Sequence, residues 1–180
     1  MYCTLIKKIN VDKTEKIKLL INNKSTNFYC VGGDNGFLKV INIDVTRPKN
    51  SEIKGPITDP TQLNFTNTLN YHNCEVTHIT WNDVYNKLAT CDASGTILVW
   101  FNRQGNWTVE MINNRGISSV TAIKWSKQGK FLCFVYDDGY AILGTVEGQR
   151  EWGKDIKEGL YGIEWSPQGS DILMCCKRSN

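Results

Sequence analysis

The segment from Trp81 to Gly95 recurs as Trp125 to Gly139, with the same spacing from tryptophan to glycine. The first copy reads VTHITWNDVYNKLATCDASGTILVW and the second VTAIKWSKQGKFLCFVYDDGYAILG. A third start follows at Trp165, in GIEWSPQGSDILMCC, so the tryptophans recur at intervals of 44 and 40 residues. A fainter copy lies upstream, where Asn22 takes the tryptophan position and Gly36 the glycine position in CVGGDNGFLKV. A fixed period of about 40–45 residues is that of a four-stranded propeller blade. A chain built this way presents surfaces to partners rather than one catalytic pocket.

Each copy reads as strand, turn, strand, turn, strand. In the second, Val76, Ile79 and Trp81 belong to an inner strand, Asn82 to Asn86 to a turn, and Lys87 to Cys91 to the next strand. Ala93-Ser94-Gly95 turns the chain back into Thr96 to Phe101, and Asn106 to Ile112 alternates as an outer strand. Short β-branched and aromatic runs between Gly, Asn and Asp clusters are strand signals. Gly36, Gly95 and Gly139 are expected at left-handed positions of tight hairpins, where a Cβ is penalised. Asn35-Gly36 and Asp138-Gly139 are the dipeptides that a two-residue type I′ turn prefers. The spacing from Gly36 to Gly95 is longer than that from Gly95 to Gly139, and the surplus falls in residues 45–67, with Pro48, Pro56 and Pro60 among polar residues. It is read as a long surface loop inserted between blades, a connector or a binding loop.

Composition narrows the function classes. Charged residues make up 22% and the net charge is +3, too weak and scattered to argue for nucleic acid. No apolar run approaches the roughly 20 residues of a membrane span, and MYCTLIKKIN lacks the apolar core of a signal peptide; an intracellular chain without membrane insertion is expected. The seven cysteines contain no CxxC pair, and Cys30, Cys91 and Cys133 sit in apolar strand context as buried thiols. His72, Cys74 and His78 lack a fourth ligand for a metal. GGDNG lacks the Lys-Ser/Thr ending of a phosphate loop, and Asp137-Asp138 is explained by turn chemistry. No catalytic residue, metal or cofactor is expected.

The period, the tryptophans Trp81, Trp125 and Trp165, the turn glycines and the GTILVW ending at Trp100 resemble WD40 repeats, giving an all-β fold. Only Trp100 fills the signature tryptophan slot; Ile41 and Gly144 stand there in the flanking copies. Tyr71-His72 resembles the Gly-His pair. The resemblance implies a buried tetrad of histidine, serine, aspartate and tryptophan, expected here to be incomplete because Ser94 stands at the aspartate position.

Further strings are not generic to such repeats: GGDNGFLKV, TWNDVYNKLATCDASGTILVW, EMINNR (Glu110 to Arg115) and WGKDIK (Trp152 to Lys157). In this order and spacing they resemble the N-terminal propeller of the WD-repeat subunits of intraflagellar transport complex A. The resemblance implies a non-catalytic scaffold of two propellers and an α-solenoid, residing in the cilium, its axoneme and basal body, with a cytoplasmic pool. It also implies other complex A subunits as partners, with complex B, dynein and membrane-protein cargo beyond them, in retrograde transport and ciliary import. Substrate receptors of ubiquitin ligases of the tubby-like type and vesicle-coat subunits share related repeats and stay open as alternatives. Trp107 and the proline-bearing loop are candidate interaction residues. The whole chain, 1–180, is read as the N-terminal part of a WD40-like propeller. About three and a half blades are counted, whereas propellers close with about 4–8; a longer chain or a second chain is expected to complete the ring.

Overall fold

In a computed structural model, which describes residues 15–44 and 62–176, fourteen antiparallel strands form three four-stranded sheets and one two-stranded sheet. Blade 1 is β1 (Ile17–Asn22), β2 (Phe28–Gly33), β3 (Leu38–Asp44) and β4 (Gln62–Thr68). Blade 2 is β5 (Val76–Asn82), β6 (Lys87–Asp92), β7 (Ile97–Arg103) and β8 (Asn106–Asn113). Blade 3 is β9 (Val120–Trp125), β10 (Phe131–Tyr136), β11 (Tyr140–Thr145) and β12 (Arg150–Asp155). The two-stranded sheet pairs β13 (Leu160–Trp165) with β14 (Ile172–Cys176). This is an open, incomplete propeller, and the all-β reading holds.

The pattern of burial follows from stacking sheets face to face. A middle strand is covered on both sides, so β6 is buried at every position although its sequence, KLATCD, is not uniformly apolar. Successive side chains point to opposite faces. Leu88 therefore joins Cys30, Leu38, Val40 and Trp81 in the core between blades 1 and 2. Its neighbours Ala89 and Cys91 join Ile123, Trp125, Leu132 and Phe134 in the core between blades 2 and 3. Trp81, Trp125 and Trp165 each face the preceding blade: Trp81 stacks on Phe28 with centroids 6.4 Å apart, and the indole N–H of Trp165 donates to the Lys124 carbonyl at 3.2 Å.

The residue after each anchor position secures the next turn, and at Asn82 it also ties that turn to a neighbouring blade. Oδ1 of Asn82, 1% exposed, accepts from the backbone N–H groups of Val84 and Tyr85 at 3.2 and 3.0 Å. Its Nδ2 donates to the Gly129 carbonyl of blade 3 at 2.7 Å. Asn23 does the same locally, accepting from the N–H groups of Ser25 and Thr26, while Asp83 accepts from the N–H of Lys24 at 2.8 Å. Ser126 and Ser166 hold the later turns through their hydroxyls. Replacing Asn82 by alanine removes the partner of one buried carbonyl and of two part-buried N–H groups, and a loss of about 1–3 kcal/mol in unfolding free energy is expected. Urea titration of the two proteins measures it, and an unchanged midpoint would show that water replaces the amide at no cost.

Two sequence expectations change. Residues 62–67 are not loop: Gln62–Thr68 pairs with β3 along its length as the outer strand of blade 1. Pro48, Pro56 and Pro60 lie outside the described residues. The two glycine turns also differ. Asn35 (φ 56°, ψ 27°) and Gly36 (φ 74°) are both left-handed, and Phe37 N–H donates to the Asp34 carbonyl at 2.9 Å, as in a type I′ turn. Asp138-Gly139 is not of this type. Only Gly139 is left-handed (φ 89°), and its N–H donates to the Tyr136 carbonyl at 3.1 Å, giving the longer connection also seen from Asp92 to Gly95. Asp137 and Asp138 both keep negative φ because the extra residue makes the reversal without them.

Candidate functional site

A buried polar cluster lies inside blade 2. Trp100, 4% exposed, donates its indole N–H to the hydroxyl oxygen of Thr90 at 2.9 Å. Thr90 lies 2.8 Å from Nε2 of His72, and Nδ1 of His72 lies 2.7 Å from Asp92 Oδ2. A neutral imidazole satisfies every member in one direction: Trp100 donates to Thr90, Thr90 to His72 Nε2, and His72 Nδ1–H to Asp92. Asp92 Oδ1 accepts further bonds from the backbone N–H and hydroxyl of Ser94 and from the N–H of Thr96.

The expected gap in the tetrad is therefore corrected. Asp92, not position 94, holds the aspartate place, Thr90 supplies the hydroxyl, and Ser94 supports the carboxylate from the turn. The carboxylate lies at the end of β6, under the turn, where it reaches a histidine arriving before β5; Ser94, in the turn, contacts the carboxylate rather than the histidine. Thr90 and Asp92 were missed in the sequence, and the available signal was the T-C-D run ending directly at the turn. All four side chains are enclosed, so the cluster fixes strands and offers no open nucleophile.

The charges in this cluster have opposite histories. Burial lowers the pKa of His72 below its ordinary 6.5, although Asp92 pulls it upward. Burial alone raises that of Asp92, but hydrogen bonds from Ser94, His72 and Thr96 outweigh it and hold the carboxyl below its ordinary value. The unfolded chain thus takes up a proton on His72 at a higher pH than the folded chain does. The unfolded state binds more protons in that window, so stability declines as pH falls below about 6.5. Urea midpoints taken from pH 7 to pH 5 are expected to fall more steeply for the natural chain than for His72→Gln. Parallel slopes would remove His72 as the source.

The other candidate positions are distributed as follows. Trp107 is half-buried, edge-on to Phe28 at 5.9 Å and to Trp81 at 5.6 Å, and packs blade 2 against blade 1. His78 bridges blades instead of joining His72, with Nε2 3.1 Å from the Thr121 carbonyl. Among the described residues no group of three or more His, Cys, Asp or Glu side chains is placed to hold a metal. Cys30, Cys91 and Cys133 are buried free thiols, and burial pushes the Cys91 and Cys133 thiols up to about 12. Thiols so raised carry almost no thiolate at neutral pH.

A family model described as WDR35/TULP4 N-terminal matches residues 1–180. Human WD repeat-containing protein 35 is 38% identical over 174 residues, covering 96% of this chain and 15% of that protein. Human Tubby-related protein 4 is 41% identical over 117 residues, covering 63% of this chain and 7% of that protein. The chain thus spans a small part of the length of the relatives it matches. Among solved structures, a chain of the crystal structure of the mitotic checkpoint complex aligns with a TM-score of 0.68 at 16% identity, covering 91% of this chain and 45% of that one. The C-terminal WD40 domain of Sif2 aligns with a TM-score of 0.66 at 14% identity, covering 91% and 44%. At such identities these two likenesses carry the WD40 propeller fold alone.

Proposed function

Because the chain belongs to the WDR35/TULP4 N-terminal β-propeller family, we propose that it is the leading part of a non-catalytic scaffold subunit of intraflagellar transport complex A. In this reading it is the WD-repeat subunit called intraflagellar transport protein one-twenty-one. The observation that carries the reading is the alignment with WD repeat-containing protein 35 over nearly the whole of this chain, joined to the strings EMINNR and WGKDIK. The mechanism is passive. Rigid blades hold loops and outer strand edges in fixed positions, and neighbouring subunits are kept in register through large composite interfaces. Other complex A subunits are the partners, retrograde transport and import of membrane proteins the processes, and the cilium and its base the place.

A second reading draws on Tubby-related protein 4, whose identity to the matched stretch is as high though the stretch is shorter. In that reading the propeller is the substrate-binding part of a ubiquitin-ligase receptor. Affinity purification of the native protein with peptide mass spectrometry separates the two. Recovery of further propeller-solenoid subunits together with ciliary localisation supports the transport scaffold. Recovery of ligase adaptor subunits without them sinks it and leaves the receptor.

A further inference from the structure

EMINNR and WGKDIK, which no strand or turn requirement explains, meet in the folded chain at one side chain, Tyr140. Arg115 closes the first string and stacks on two rings, 4.2 Å from the centroid of Tyr140 and 4.7 Å from that of Tyr136. It is held there by Asp138 at 3.0 Å and by the hydroxyl of Ser118 at 3.2 Å. Arg150, just before the second string, donates from Nη2 to the Tyr140 hydroxyl at 2.5 Å and lies 5.7 Å from the centre of the same ring. Gly153 makes room for it: a Cβ there overlaps the Arg150 guanidinium and comes within 2.7 Å of the Tyr140 hydroxyl.

The two arginines differ in what they have left to offer. Arg115 is paired. Arg150 is exposed and, among the described residues, has no carboxylate partner. Asp155, opposite Tyr140 in the β11–β12 register, is engaged with the backbone N–H of Lys157 at 2.8 Å. The Tyr140 oxygen accepts from Arg150, so its own proton remains available to donate. A guanidinium fixed by a ring and a hydroxyl, with N–H groups still free, is a preformed fork for a carboxylate. It stands on β12, the outermost strand of its sheet, whose free edge suits an extended segment.

We infer that Arg150, Tyr140 and Gly153, backed by Arg115, form a carboxylate-reading site that takes a glutamate or aspartate from an extended acidic segment of a partner protein. This stands independently of the ciliary assignment. The test is fluorescence anisotropy with the native full-length protein and a short peptide alternating glutamate and threonine, against its glutamine counterpart. Binding of the acidic peptide is expected to weaken by about tenfold or more in Arg150→Gln, and similarly in Gly153→Ala, which keeps the charge but expels the guanidinium. Arg150→Lys, which keeps the charge and loses the fork, is expected to lose most of the binding as well, and covers the case in which Gly153→Ala does not fold. Lys127→Gln, an equal charge change on the β9–β10 turn, is expected to shift binding by no more than about twofold. Equal binding by the natural protein and Arg150→Lys overturns the inference, as does an equal loss in Lys127→Gln. Complete displacement of the peptide by equimolar inorganic phosphate overturns it in favour of a small-anion site.

Discussion

Trp100→Ala is expected to lower the unfolding free energy by about 3–5 kcal/mol, the range for a buried large aromatic truncated in a core. The indole fills the space between blades 1 and 2 with Leu38, Val40 and Leu98, and meets Tyr71 edge-on at 6.5 Å. Truncation leaves a cavity and removes the first donor of the relay through Thr90. Trp100→Phe separates the two effects: it keeps most of the ring and deletes the N–H, so a loss of about 1–2 kcal/mol is expected. Chemical denaturation of all three proteins measures both. If phenylalanine costs as much as alanine, the hydrogen bond rather than the packing governs the site.

Gly36→Ala is expected to cost about 2–4 kcal/mol, and Gly105→Ala only about 1–2 kcal/mol. Both glycines are left-handed, with φ of 74° and 91°, so both lose conformational ease when a Cβ is added. Their surroundings differ. At Gly36 the added Cβ overlaps the carbonyl oxygen of His72 and lies 2.5 Å from its carbon, whereas at Gly105 nothing lies within 4 Å. The obstacle at Gly36 is backbone just beside the relay, and moving it displaces His72. Equal losses in the two variants would mean that the chain before β5 yields freely.

The blade count, the strand order and the left-handed glycines were legible because they depend on local chemistry: a hairpin needs its glycine whatever packs against it. β4 was hidden because Gln62 to Thr68 is mostly polar and follows a proline-rich stretch, so its strand character comes from pairing with β3 rather than from its own residues. The aspartate of the relay was misplaced by two residues, since a count along the chain does not reveal which side chain under a turn points inward. The meeting of Arg115, Tyr140 and Arg150 was beyond reach for a stronger reason. It joins the end of blade 2 to β11 and β12 of blade 3, and no pattern in either string encodes the other.

Both histidines of the chain, His72 and His78, belong to blade 2, and burial disfavours the proton on each. At the matching place in blade 3, Tyr136 stands where Asp92 stands in blade 2, and an arginine stacked on tyrosines makes the joint. That joint carries a permanent charge and has no proton to gain near neutrality. Acidification therefore does not loosen the array evenly. It acts on blade 2, through the His72 relay and the His78 contact to the Thr121 carbonyl, and leaves the arginine joint as it was.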